Sequence, residues 1–81
     1  MAEPAWDGVL VKSVPILDGL LGIEKAADGR SSYSVYFTAK QNLWGTTCDS
    51  LLRAEYLYRL ALARLNRNSD MDKTVLFMDE E

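Results

Sequence analysis

Few residues of this chain could carry chemistry, and Cys48 is the first to consider. We expect Cys48 in the first turn of a helix, where the helix dipole lowers the pKa of a thiol and favours the reactive thiolate. Asp49 beside it opposes that ionisation, and the chain has no histidine to serve as general base or metal ligand. A lone cysteine is commonly a small buried apolar residue. The sequence therefore predicts no catalytic residue and no enzyme activity.

Residues 66–72, NRNSDMD, place oxygen-bearing side chains at alternate positions, as the start of an EF-hand calcium loop does. The glycine at the sixth position of such a loop and the glutamate at the twelfth are both missing. No strand-loop-helix phosphate cradle is present either. We interpret the segment as the exit from a helix, and we expect neither a metal nor a cofactor.

Aromatic side chains are concentrated in residues 31–40, SSYSVYFTAK, between Arg30 and Lys40. Such a strand could stack the bases of single-stranded nucleic acid. A net charge of −3 does not favour nucleic-acid binding, which usually requires a clustered basic surface. The plainer interpretation is a core strand with tyrosine hydroxyls at its edge, and nucleic-acid binding remains an alternative.

Length and composition indicate one small globular domain over residues 1–81, with 48% hydrophobic and 26% charged residues. The longest apolar stretches fall far short of the ~20 residues that span a bilayer, so we expect no membrane segment. The N-terminal sequence does not resemble a secretory signal, and the single cysteine suits a reducing compartment. We therefore expect a cytoplasmic protein.

The first half of the chain has the alternation of strands. Residues 8–14 predict a strand that Pro15 ends, and residues 31–40 predict another. A loop at residues 27–29, with Gly29 left-handed, would place Ile23 opposite Tyr33.

An alternative for residues 13–29 is a helix capped by Ser13. Gly19 and Gly22 would each cost such a helix roughly 0.8–1.0 kcal/mol relative to alanine, so strands are favoured.

The clearest element is a helix at residues 47–66, with Thr46 as N-cap and Asp49 in its first turn. Residues 73–78, KTVLFM, predict a short final strand. The predicted fold class is α+β: a small, mostly antiparallel sheet in the order β-β-β-α-β, packed against one long helix.

This helix has two apolar faces when its residues are spaced about 100° apart. One broad arc predicts the core contact and consists of Leu51, Ala54, Leu57, Tyr58, Ala61, Leu62 and Leu65. A second, narrower stripe is bordered by arginines and is the predicted partner-binding site: Leu52, Arg53, Tyr56, Arg59, Leu60, Ala63, Arg64 and Arg67. The stripe could instead be tolerated on the surface or covered by the N-terminal segment with Trp6.

Exposing Leu52 and Leu60 forgoes roughly 1.5–3 kcal/mol of burial each, a large fraction of the stability of so small a domain. Tyrosine and arginine around an apolar centre are enriched at interface hot spots. The sequence therefore predicts a protein-protein interaction module that associates with another copy or a larger assembly. A small inhibitor that occludes another protein's surface and a single-stranded nucleic-acid binder are the alternatives, and no small-molecule substrate is expected.

Overall fold

The computed structural model of the protein describes residues 9–26 and 31–78, which form a sheet covered on one side by a helix. Antiparallel strands follow one another in chain order across the sheet: β1 (Val9–Ile16), β2 (Gly19–Lys25), β3 (Tyr33–Ala39) and β4 (Asn42–Cys48). Helix α1 (Leu51–Arg67) comes next, and a short 3₁₀ helix spans Lys73–Val75. The predicted fold class, an α+β fold with an antiparallel sheet against one long helix, is confirmed.

The order of the elements differs from the predicted β-β-β-α-β. The fourth strand is formed by residues 42–48 before the helix, and not by residues 73–78 after it. Residues 42–48 form β4, and Thr46 pairs with Val35 of β3. Gly45 lies opposite Tyr36, where an added Cβ would approach the Val35 carbonyl oxygen to 2.7 Å. This glycine therefore allows a close approach inside a strand, whereas the sequence pattern had suggested that it precedes a helix. Threonine also suits a pleated strand better than a helix interior.

Helix α1 begins later than predicted because Ser50, and not Thr46, is its N-cap. The Ser50 hydroxyl accepts a hydrogen bond from the Arg53 backbone N–H at 3.2 Å, which satisfies one of the unpaired donors of the first turn. The predicted range 47–66 was wrong at its start, and the last helical residue is Arg67.

The strand interpretation of the first half is confirmed, but the register was wrong by two residues. Ile23 pairs with Val35 and Leu21 with Phe37. A shift of two leaves every side chain on its predicted face, because the side chains of a strand alternate. The predicted loop at residues 27–29 lies outside the described residues. Strand β1 continues through Pro15, which an edge strand tolerates.

The core lies between α1 and the two central strands. Five side chains of the predicted helix arc are buried: Ala54, Leu57, Tyr58, Ala61 and Leu65. They pack against four fully buried side chains of β2 and β3: Leu21, Ile23, Val35 and Phe37. The small side chains of Ala54 and Ala61 bring the helix backbone close to the sheet. The two ends of the arc are less buried, since Leu51 is exposed and Leu62 only partly covered.

The segment after α1 is fastened to the core without forming a strand. Leu76 is fully buried and belongs to the core cluster. Asp72 caps the 3₁₀ helix, and its carboxylate accepts hydrogen bonds from the backbone N–H of Thr74 at 3.0 Å and from its hydroxyl at 2.7 Å. The predicted strand at residues 73–78 was wrong, because the local cap turns the chain before it can extend along the sheet.

A first prediction concerns Lys40, which lies in the two-residue connection between β3 and β4 with a φ of 57°. This left-handed conformation costs an L-residue roughly 1–2 kcal/mol, and glycine avoids that cost. We expect Lys40→Gly to raise the free energy of unfolding by about 0.5–1 kcal/mol, because the extra freedom of glycine in the unfolded chain offsets part of the gain. Urea denaturation measures this. Lys40→Ala, which keeps a Cβ atom, is the control, and equal stabilities of the two variants would contradict the prediction.

A second prediction concerns the pH dependence of the C-terminal cap. The hydrogen bonds from the hydroxyl and the backbone N–H of Thr74 hold the pKa of Asp72 below its ordinary value of 3.8. Because the pKa is lowered by folding, the cap contributes stability above pH 3.8 and loses it as the pH falls through the lowered value. We expect Thr74→Val to raise the pKa of Asp72, as measured by NMR titration of its carboxyl carbon. Thr74→Ser keeps the hydroxyl and should leave the pKa low.

Candidate interaction surface

The residues of the predicted partner-binding site lie on the side of α1 opposite the core contact and on one flank of the helix. This surface, the outward face, comprises Leu52, Arg53, Tyr56, Arg59, Leu60, Ala63, Arg64 and Arg67. Leu52 is 78% exposed and Tyr56 42% exposed, whereas Leu60 is half-buried and packs against the edge of the core. The apolar stripe is therefore most open over the first half of the helix.

The arginines of the outward face differ in what they contact. The Arg53 guanidinium lies 5.4 Å from the centre of the Tyr56 ring, in a cation-π contact at the exposed end of the stripe. Arg59 and Arg67 are exposed. Arg64 is partly buried and donates from Nη1 to the carbonyl oxygens of Val75 and Leu76, both at 3.0 Å. Arg64 therefore holds the C-terminal segment in addition to contributing positive charge.

The outward face is strongly basic although the chain is acidic. Helix α1 contains four arginines and one glutamate, a net charge of +3 in a chain whose total is −3. The glutamate is Glu55, whose Oε2 lies 3.7 Å from Lys12 Nζ of β1. Lys12 also lies 5.3 Å from the Tyr58 ring centre. Glu55 is thus paired with the edge strand β1.

A groove extends the outward face beyond the helix, between the C-terminal half of α1 and the segment after it. This C-terminal groove has a volume of about 850 Å³. Its apolar lining comes from Leu60, Met71, Val75 and Met78, and Met78 is 58% exposed. Arg64, Arg67 and Asn68 supply polar atoms on its helix side.

Four of these groove residues were not part of the predicted site: Asn68, Met71, Val75 and Met78. They were missed because the predicted site was confined to the helix and residues 73–78 were predicted as a strand in the sheet. One signal could have indicated the turn, since Asp72 two residues before Thr74 is a local capping pattern.

Cys48 lies at the end of β4, and the prediction that placed it in the first turn of a helix was wrong. Burial raises the pKa of its thiol, Arg53 partly opposes that effect, and Asp49 adds to it. The raised pKa favours the neutral thiol over the reactive thiolate.

Two of the three aromatic rings of β3, those of Tyr36 and Phe37, are buried and present little surface for base stacking. Phe37 lies in the core beneath the helix, and Tyr36 lies on the other side of the sheet. The Tyr36 ring covers Gly22, where an added Cβ would come within 2.7 Å of the tyrosine Oη. Burial, with a smaller contribution from Glu24, raises the pKa of Tyr36. Both rings are thus committed to contacts within the domain.

Within residues 9–26 and 31–78, no group of three or more histidine, cysteine, aspartate or glutamate side chains is placed to hold a metal ion. Over the same residues, no helix has the length and apolar character needed to cross a bilayer.

The structural role of Arg64 leads to a third prediction. Replacing Arg64 with methionine keeps most of the apolar stem but leaves the Val75 and Leu76 carbonyl oxygens without this donor. We expect a loss of about 1.5–3 kcal/mol in the free energy of unfolding, the usual range for hydrogen bonds to a charged group. Arg59→Met removes the same charge from an exposed position and should change stability by less than about 0.5 kcal/mol. Similar losses in the two variants, measured by urea denaturation, would contradict this role.

Comparison of the chain with protein-family models, with curated proteins and with solved structures gives no match.

Proposed function

We propose that this chain is a non-enzymatic protein-protein interaction module that docks through the outward face of α1. The observation that carries the proposal is the 78% exposure of Leu52, next to Tyr56, on a helix whose opposite face already forms the core contact. A large aliphatic side chain this exposed contributes little hydrophobic burial to the domain's own stability. Burying it against a partner would release roughly 1.5–3 kcal/mol.

The composition around Leu52 supports the same proposal. Arg53 and Tyr56 form a cation-π pair at its side, and arginine and tyrosine are the residues that most often dominate binding energy at interfaces. Because the pair is already in contact before binding, less side-chain freedom is lost when a partner arrives.

The proposed mechanism is burial of surface, with no covalent step. The partner is another copy of the chain or a larger protein assembly, in the cytoplasm. An inhibitor that occludes a functional surface would use the same contacts. What distinguishes an inhibitor from an assembly subunit is the activity of the partner, not a feature of this chain. Neither a small-molecule substrate nor nucleic acid is part of the proposal. Two of the three aromatic side chains of β3, Tyr36 and Phe37, are buried within the domain and are not offered to bases.

Photo-crosslinking tests the proposal as a fourth prediction. A photoreactive phenylalanine analogue is placed at position 52, in the native cell, and at position 43 as the matched control. Leu43 is also an exposed leucine, at 48%, but it lies on β4 away from the helix. We expect a protein adduct from position 52 and none from position 43. Equal adducts from both positions, or none from either, would remove the outward face as the docking site.

The fold must survive these changes for the test to be informative. Leu52→Asp should alter the free energy of unfolding by less than about 0.5 kcal/mol because the side chain is already solvated. Tyr56→Asp, introduced into the chain that carries the photoreactive residue at position 52, should abolish the adduct. Leu57→Asp, by contrast, places a charge in the core and should unfold the domain. Light scattering over a concentration series then separates self-association from docking on another protein.

A further inference from the structure

The C-terminal groove is a preformed feature. Its outer wall is tied to the core through the fully buried Leu76, and Arg64 binds the two carbonyl oxygens at positions 75 and 76. The amino group of Lys73 also donates to the carbonyl oxygens of Ser69 and Met71, both at 3.1 Å. A wall fixed by these contacts needs little ordering when something enters the groove, and this preserves binding energy.

The groove lining suits an apolar side chain. Leu60 forms its floor on the helix side, and two methionines, Met71 and Met78, line it together with the exposed Val75. Methionine is unbranched and polarizable, so it adapts its shape to different apolar groups. The volume of about 850 Å³ exceeds what a single side chain occupies, so the groove can take a short stretch of chain.

The charge around the groove identifies the kind of chain that fits. Arg67 lies at the groove and Arg64 in its wall. The helix that forms one side has a net charge of +3, and residues 68–78, which form the other, have a net charge of −1, so the positive charge predominates. A two-fold pairing of two copies through this surface would set these positive charges against each other. A partner segment with carboxylates beside its apolar residues has the complementary charge.

We propose that the C-terminal groove binds an acidic segment of another protein, with one or two large apolar side chains seated between Leu60, Met71 and Val75. Its carboxylates contact Arg67, which is exposed at the rim of the groove. This inference rests on the proposed function and specifies the partner's chemistry. The exposed stripe around Leu52 then continues the same contact towards the start of the helix.

Peptide selection is the test, and it provides the fifth prediction. A phage library of random peptides of about 12 residues, roughly 18 Å if helical, is selected against the immobilised full-length chain at an ionic strength of about 0.15 M. We expect the enriched peptides to carry several aspartates or glutamates around one or two large apolar residues. Enrichment of basic or uncharged peptides, or no enrichment over a selection without the protein, would overturn the inference.

Variants then assign the site, with the best enriched peptide as the probe and fluorescence anisotropy as the readout. We expect Arg67→Glu and Val75→Asp each to weaken binding by at least about tenfold, since a charge reversal at the rim and a charge in the groove both oppose the fit. Lys40→Glu and Leu43→Asp are the controls, because they make comparable changes at exposed positions in β4 and in the turn before it. Equal losses in the controls would overturn the groove as the site.

The outcomes separate this inference from the proposed function. An adduct from position 52 without any selected peptide would leave the interaction module standing and remove the acidic segment. If neither an adduct nor a selected peptide is obtained, both the proposed function and the acidic partner are overturned. Co-sedimentation of the chain with phosphatidylglycerol vesicles that competes with the peptide would assign the basic groove to a lipid surface instead. Salt-sensitive self-association in light scattering would assign it to the acidic part of another copy, and either result overturns the proposal.

Discussion

The contact between α1 and the two central strands is the interaction on which the rest of the structure depends. Ala54 and Ala61 are fully buried and small, so the helix approaches closely enough for Leu57 and Leu65 to fill the space beside them. Each fully buried large aliphatic or aromatic side chain contributes roughly 1.5–3 kcal/mol. One face of the helix therefore closes the core, whereas Leu52 and Tyr56 on its other side stay exposed.

The position of the C-terminal segment follows from that contact. Leu76 inserts into the same core, and the chain on either side of it lies along one flank of α1. Arg64 then forms hydrogen bonds to the carbonyl oxygens of this segment, and Leu60 becomes half-covered. The outward face is consequently not a simple stripe. It is open around Leu52 and becomes a groove where the helix ends, so a partner would meet two different surfaces along one helix.

The separation of charge links the two proposals. Four of the five arginines lie on the helix while most acids lie elsewhere in a chain of net charge −3, and Glu55 is paired with Lys12 at the sheet edge. An uneven distribution of this kind directs approach and orientation more than it adds affinity. An apolar centre supplies affinity, which is why the exposed Leu52 and the lining of the groove matter alongside the arginines.

Several features could be predicted from the sequence, for reasons that lie in local spacing. The period of α1 identified its buried side because leucine and alanine recur at helical intervals, and the alternation in β3 identified the side of the strand that carries Val35 and Phe37. The register between β2 and β3 could not be predicted to better than two residues. A slip of two keeps every side chain on its face, so the pattern does not distinguish the two pairings.

The sequence by itself determined that one helix would pack on an antiparallel sheet and which side of that helix would be buried, because these properties depend on periodicity within a single segment. Only the tertiary structure decided the fate of residues 42–48 and 73–78. Thr46 can cap a helix or pair in a strand, and the neighbouring strand β3 makes the choice. From the sequence alone, Arg64 is expected to be a solvent-facing charge. In the structure, the C-terminal segment brings two carbonyl oxygens to it. Contacts between segments that are distant in the sequence do not produce a periodic pattern within either segment, so they could not be predicted from it.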